Sequence, residues 1–281
     1  MTLRSGIPRI ADVDQLLATP VYRDYTDYNR AFLERHRDVL ARYGRHWGQD
    51  PFGLWSRRYE YPFVGQAVRA SADGQPGDRP LRLLDAGSGV TFFDYFLCDR
   101  IPNASVVCVD YDASYPAMFQ AINAQTSGSR VTFEQASLQN LPHSDRHFDA
   151  ICCLSVLEHT DQYAQIVREF ARVTRPGGQL VLTFDLSLDG KFPLSRAQAS
   201  DLLAHVGEYF APHGLSDPLA ELTAMDRPQE LLTTDHVRQT NPELLPWKYP
   251  LLKGVHDLFK GHGWTGGFRS KAVFCLDARR K

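Results

Sequence analysis

This chain of 281 residues has no excess of charge of either sign: 31 Lys and Arg stand against 33 Asp and Glu, a formal net charge of −2. That balance lacks the basic footprint of proteins that live on phosphate backbones, so nucleic acid is disfavoured as a partner, with a local basic groove left open. The five cysteines, Cys98, Cys108, Cys152, Cys153 and Cys275, are odd in number and have no C-x-x-C spacing. Neither a disulfide framework nor a thiolate zinc site is indicated, and a reducing compartment fits best. No run of about 18 apolar residues occurs, and the opening Met-Thr-Leu-Arg-Ser-Gly-Ile-Pro has no continuous apolar stretch. The expectation is a cytoplasmic protein with no membrane association. Internal repeats and low-complexity tracts are also missing, and 43% hydrophobic with 23% charged residues excludes disordered and collagenous classes.

What is present is unevenly placed. Of the 16 Phe, 12 Tyr and 4 Trp, 11 lie between Tyr22 and Phe63. The spacing in this region predicts helices over 11–17 and 28–47, a helical cap or lid over 1–70. Residues 71–80 are dense in turn formers and read as a linker. From 81 onward, short apolar runs at 81–85, 106–110, 131–134, 150–154 and 180–184 alternate with helical segments at 92–98, 115–125 and 162–173. Strands apolar on both faces, joined by crossover helices, predict a parallel sheet covered on both sides. Thr174-Arg-Pro-Gly-Gly178 stops the last of these helices. Residues 197–209 and 251–259 have helical spacing, 271–276 reads as a final strand, and 214–250 is left unassigned as a possible substrate-side insertion in an α/β domain over 81–281.

The sharpest motif is Leu83-Leu-Asp-Ala-Gly-Ser-Gly89, an apolar strand running into Asp85-x-Gly87-x-Gly89 and a helix. Glycines at such a turn let the backbone bend tightly and approach a ligand at the carboxyl edge of the sheet. A dinucleotide fingerprint would place a third glycine where Phe92 stands, which weakens a pyrophosphate reading. Asp110 ends the second strand, where a carboxylate accepts hydrogen bonds from both ribose hydroxyls. An adenosine ligand without a bridging pyrophosphate satisfies both facts. An ordinary tight turn at the glycines and a loop-capping carboxylate at Asp110 are the alternatives.

With Leu141-Pro-His-Ser-Asp-Arg-His-Phe148-Asp149 and Val156-Leu-Glu-His159, four motifs follow in order between Leu81 and Phe184. The chain resembles a class I S-adenosylmethionine (SAM)-dependent methyltransferase of the small-molecule type. The resemblance implies a Rossmann-like three-layer fold, with a mostly parallel seven-stranded sheet and a final antiparallel strand. It implies SAM as cofactor and S-adenosylhomocysteine (SAH) as product. Asp85, Gly87 and Gly89 would frame the methionine end, Asp110 hold the ribose, and Tyr111 pack on the adenine. Ser137, where the family usually has an acidic residue, and Leu138 would flank the adenine edge, and Ser155 would meet the methionine moiety.

Other residues carry two readings each. His159 is a candidate general base and Glu158 a candidate substrate contact, or the pair caps the next helix. Cys152 and Cys153 sit mid-strand and read as small hydrophobes; His143 and His147 lack a carboxylate partner set, so no metal is expected. Asp185 either faces substrate or caps a loop. Arg57 and Arg58 read as a solvated surface pair more readily than as partners of the SAM carboxylate. Tyr59 and Tyr61, nearest the linker, are expected to touch ligand. The expected function is methyl transfer from SAM to an O or N nucleophile of a small molecule, by a monomer or homodimer. SAM-fold enzymes of other chemistry and a non-catalytic SAM-binding module are the alternatives.

Overall fold

The computed structural model describes residues 2–43, 50–74, 79–190, 193–245 and 269–281. The five apolar runs form β1 (Leu81–Ala86), β2 (Ala104–Asp110), β3 (Val131–Gln135), β4 (Phe148–Leu154) and β5 (Thr174–Ser187), followed by β6 (Phe210–Pro212) and β7 (Lys271–Arg280). They join in one seven-stranded sheet in the order β3-β2-β1-β4-β5-β7-β6. All pairings among β1 to β5 are parallel, and β7 runs antiparallel to both β5 and β6. Every side chain of β4 is buried, as the two-faced apolar pattern requires of a central strand.

The N-terminal region supplies α1 (Ile10–Leu17), α2 (Pro20–Arg35), α3 (Arg37–Leu40) and α4 (Arg57–Asp73). The crossovers are α5 (Phe93–Arg100), α6 (Tyr115–Ala124) and α7 (Tyr163–Val173), followed by α8 (Arg196–Tyr209), α9 (Pro218–Glu221) and α10 (Thr234–Thr240). One face of the sheet is covered by α4, α5 and α6, and the other by α7 and α8. The single helix expected over 28–47 starts earlier, because Thr19 caps it by accepting from Tyr22 N–H and Pro20 stands in the first turn. It breaks at His36, whose ring bonds Gln125. Trp47 and the helix expected over 251–259 lie outside the described residues. The expected linker begins later than 71, since α4 continues through Asp73 and ends at Gly74. At the expected helix stop, Thr174 already pairs with Phe148, and pairing resumes at Gln179 opposite Ala150.

The N-terminal region belongs to the core. Gly6 makes two backbone hydrogen bonds with Cys275 of β7, at 2.7 and 2.9 Å, and α4 lies directly on β4, β5 and β7. Phe92, at the position where a dinucleotide site would need glycine, is buried and meets Tyr61, Phe52, Tyr28 and Phe96 ring to ring. The aromatic surplus of the first 70 residues is largely this contact layer between α2, α4 and α5.

Where α2 crosses α4, a Cβ added to Gly65 would stand 1.9 Å from the Tyr25 hydroxyl oxygen. Gly65→Ala is therefore expected to lower stability by about 1–3 kcal/mol in urea denaturation. Adding Tyr25→Phe should recover most of the loss; a double variant as unstable as the single one would contradict the steric explanation.

Candidate functional site

Strand order reverses between β1 and β4, and open α/β sheets bind ligands in the crevice at such a point. A cavity of about 770 Å3 opens here, within the roughly 300–1,000 Å3 usual for small-molecule sites. On one side it is lined by Gly87, Gly89, Asp110, Tyr111, Ser137 and Leu138. On the other it is lined by Trp55, Arg57, Ser155, Glu158, Asp185 and Lys271, with His159 also at its wall.

Backbone geometry builds the first side. Gly87 has φ +77°, and a Cβ there would come within 2.6 Å of Val156, so only glycine fits between the β1 and β4 loops. Gly87 N–H donates to the Val109 carbonyl at 2.7 Å, tucking the loop onto the end of β2. The Asp110 carboxylate accepts from Gly89 N–H at 3.2 Å, Tyr111 N–H at 2.8 Å and Asp112 N–H at 3.3 Å. It is thus fixed at the cavity wall by three backbone donors. Tyr111 is 75% exposed, a large ring standing over the opening.

Asp85 does not line the cavity. It is buried, and burial together with the neighbouring Asp94 carboxylate pushes its carboxyl well above the usual range. Burial also pushes Asp94 up, to about 6. Two carboxyls in contact away from water retain a proton between them.

Charged side chains build the second side. Arg57 is neither solvated nor at the surface: its guanidinium pairs with Glu60 and donates to Ser155 Oγ at 2.8 Å. Ser155 Oγ in turn donates to Glu60 at 2.7 Å, and Thr183 donates to the same carboxylate. Burial alone would raise the Glu60 pKa, but the Arg57 charge and the hydroxyl donors hold it below the ordinary value. Ser155 adopts φ +51°, a strained conformation for a residue with a side chain, and this network holds it there. Asp185 pairs with Lys271 Nζ at 3.0 Å. Glu158 is 4% exposed; its Oε1 accepts from Asp185 N–H at 3.2 Å, while Oε2 is buried with no hydrogen-bond partner among the described residues. His159 is exposed, at the end of a short 3-10 turn.

Tyr59 and Tyr61 do not meet the expectation of a ligand contact. Neither lines the cavity; both are at most 4% exposed, Tyr59 stacked on Phe63 and Tyr61 against Phe92 and Phe93. On a helix lying flat on the sheet, these positions point into the core, and it is Trp55, just before α4, that reaches the cavity. Trp55 is held by its N–H to the Leu244 carbonyl at 3.2 Å. Sequence reasoning passed over Trp55 and Lys271 and favoured a solvated Arg57 over one folded across the sheet edge. The available signal for Arg57 was Glu60, one helical turn on, inside an aromatic run that leaves no polar face for either charge. Cys152 and Cys153 are buried with thiol pKa values raised by burial, and no cluster of potential metal ligands occurs among the described residues.

Residues 84–182 match the family described as "Methyltransferase domain". This segment is a class I SAM-dependent methyltransferase domain. It holds the glycine turn, Asp110 and the β4 end described above. The chain is 32% identical over 117 residues to a demethylmenaquinone methyltransferase from Deinococcus radiodurans, covering 41% of this chain and 47% of that one. It is 30% identical over 191 residues to a malonyl-[acyl-carrier protein] O-methyltransferase from Legionella pneumophila, covering 66% and 65%. It is 26% identical over 166 residues to a ubiquinone biosynthesis O-methyltransferase from Marinobacter nauticus, covering 58% and 64%. The chain spans about half to two thirds of the length of these relatives. No helix among the described residues is long and apolar enough to cross a membrane.

Burial and the Asp185 charge push the Glu158 carboxyl up to about 8 from its ordinary 4.5. A carboxyl raised on folding contributes its stability fully below the unfolded value and loses it as pH rises toward the folded one. Stability should therefore fall between about pH 4.5 and 8, and Glu158→Gln should flatten that slope in denaturation curves taken across the range. The raised Asp85 and Asp94 give a slope of the same sign that the variant leaves in place. An unchanged slope would show that Glu158 titrates normally.

Proposed function

We propose that the protein transfers the methyl group of SAM to an O or N nucleophile of a small molecule by in-line displacement. The observation that carries this reading is one cavity with two unlike sides. The glycine turn and a carboxylate set by backbone donors suit an adenosine, and the charged, partly aromatic wall opposite suits an acceptor. SAM supplies a methyl carbon activated by the positive sulfur. The chain's part is to align and to exclude water, because a displacement at a sulfonium needs little acid-base help.

In this reading Asp110 takes the ribose hydroxyls, Tyr111 covers the adenine, Ser137 and Leu138 flank it, and Gly87, Gly89 and Ser155 border the methionine end. Asp85 acts from behind the glycine turn. Glu158 and Asp185 face the acceptor, and His159 is the base for an acceptor bound near the mouth. Residues 1–70 form a lid rooted in the core. The described residues 214–245 of the expected insertion shape the acceptor side, supported by the bonds of Leu244 to Trp55 and of Thr234 to Lys271 N–H. The names of the relatives, demethylmenaquinone and a malonyl group on an acyl-carrier protein among their acceptors, support an organic acceptor. The reading is completed by a small-molecule substrate, a cytoplasmic monomer or homodimer, and no role for nucleic acid.

Asp110→Ala removes a charged acceptor from the ribose and is expected to weaken SAM binding at least about tenfold in calorimetry. Unchanged affinity would remove the ribose from this position and, with it, the orientation of the cofactor.

A further inference from the structure

The cations at the cavity wall already have carboxylate partners. Lys271 pairs with Asp185, and Arg57 with Glu60. Of the carboxylates that line the cavity, Asp110 is engaged by three backbone N–H groups and Asp185 by Lys271. Glu158 is left over, with no cation and with Oε2 buried and unpartnered among the described residues. Asp110 and Asp185 in the lining, with Glu60 behind Arg57, already outnumber Arg57 and Lys271, so the described wall has a negative balance before Glu158 ionises. A buried carboxyl in this state is stabilised by a ligand that brings both a positive charge and a donor.

Resting on the methyl-transfer reading above but placing the base differently, we propose that the acceptor is a protonated amine bound at Glu158 Oε2, with buried Glu158 rather than the exposed His159 taking its proton before transfer. A neutral hydroxyl would supply a donor but leave the charge imbalance in place. The groups facing Glu158 are Asp185 and Glu60, which oppose its ionisation, and their partners Lys271 and Arg57, with His159 adjacent at the mouth. An ordinary carboxylate is too weak a base for an ammonium. One raised by burial beside Asp185 shares the proton more evenly. The incoming positive charge favours ionised Glu158, whose own proton leaves to solvent as the amine binds; in the step the ammonium proton then passes to Glu158 Oε2 and the nitrogen regains its lone pair. The N–C bond forms as the C–S bond breaks, the breaking pair stays on sulfur, and the positive charge moves from sulfur to nitrogen.

The test is calorimetry on the SAH-loaded protein at neutral pH with benzylamine, protonated under these conditions, and benzyl alcohol, its neutral counterpart. Benzylamine is expected to bind at least about tenfold more tightly, and Glu158→Gln should abolish that preference with SAH affinity unchanged. Retained SAH binding reports that the variant is folded. Equal affinities in the unaltered protein, or a preference surviving in Glu158→Gln, would overturn the proposal. Loss of SAH affinity in the variant would overturn it too, by moving Glu158 to the cofactor. A wild-type protein that fails to bind SAH at all would instead bring down the methyl-transfer reading on which the proposal rests.

Discussion

A buried guanidinium and a buried carboxylate, three residues apart on α4, hold the mouth of this sheet together. Glu60 is fully buried and Arg57 nearly so, and between them they collect the hydroxyls of Ser155 and Thr183 from β4 and β5. Neither charge is tolerable without the other: removing one partner from such a pair costs about 3–5 kcal/mol, because the remaining charge stays in the interior. The pair therefore fixes where the N-terminal region sits. It also fixes Ser155 in its positive-φ conformation, and Ser155 begins the loop that carries Val156 against Gly87 and Glu158 toward Asp185. A contact made by the first 70 residues thus shapes both sides of the cavity.

The two sides obey different physics. Beside Gly87 and Asp110 the work is done by backbone: positive φ, N–H donors and the absence of a Cβ. Such a surface is set by local chain geometry, and a ligand that all members of a fold share can rely on it. Beside Glu158 and Lys271 the work is done by side chains brought from the β4 loop, β5 and β7, elements that together span more than a hundred residues of sequence. Substituting one of these side chains alters charge without disturbing the glycine turn opposite. On the proposed reading, acceptor specificity can change there while the adenosine side stays the same.

This division also explains what could be read beforehand. The five parallel strands, the glycine turn and Asp110 were legible because each is specified within a few residues by two-faced apolar runs, glycines or a strand-end carboxylate. The start of α2 at Pro20 was within reach of the same local rules, through Thr19 and proline. Arg57 was not, since a lone arginine pair near a linker is usually solvated and only the packing of α4 on the sheet turns it inward. Tyr59 and Tyr61 depart from expectation for the mirror reason: the expectation rests on their nearness to the linker, whereas the helix face they occupy lies on the core. Lys271 looked like the first residue of a strand, and its partner Asp185 became visible only when β5 and β7 paired antiparallel, with Asp185 opposite Val273.

Phe92 connects these points. At its position a glycine would let α5 approach a pyrophosphate closely; a phenylalanine closes that space and presents a ring to Tyr28, Phe52 and Tyr61 from the N-terminal helices. The same side chain that argues against a dinucleotide thus gives α2 and α4 an apolar surface on which to sit. Once α4 rests there, its first turn projects past the end of β4, and Arg57 has nowhere to go except toward Ser155 and Glu60. The aromatic surplus of the first 70 residues is then mainly structural in use. Its functional effect is indirect, exerted by placing one arginine and one tryptophan at the cavity wall.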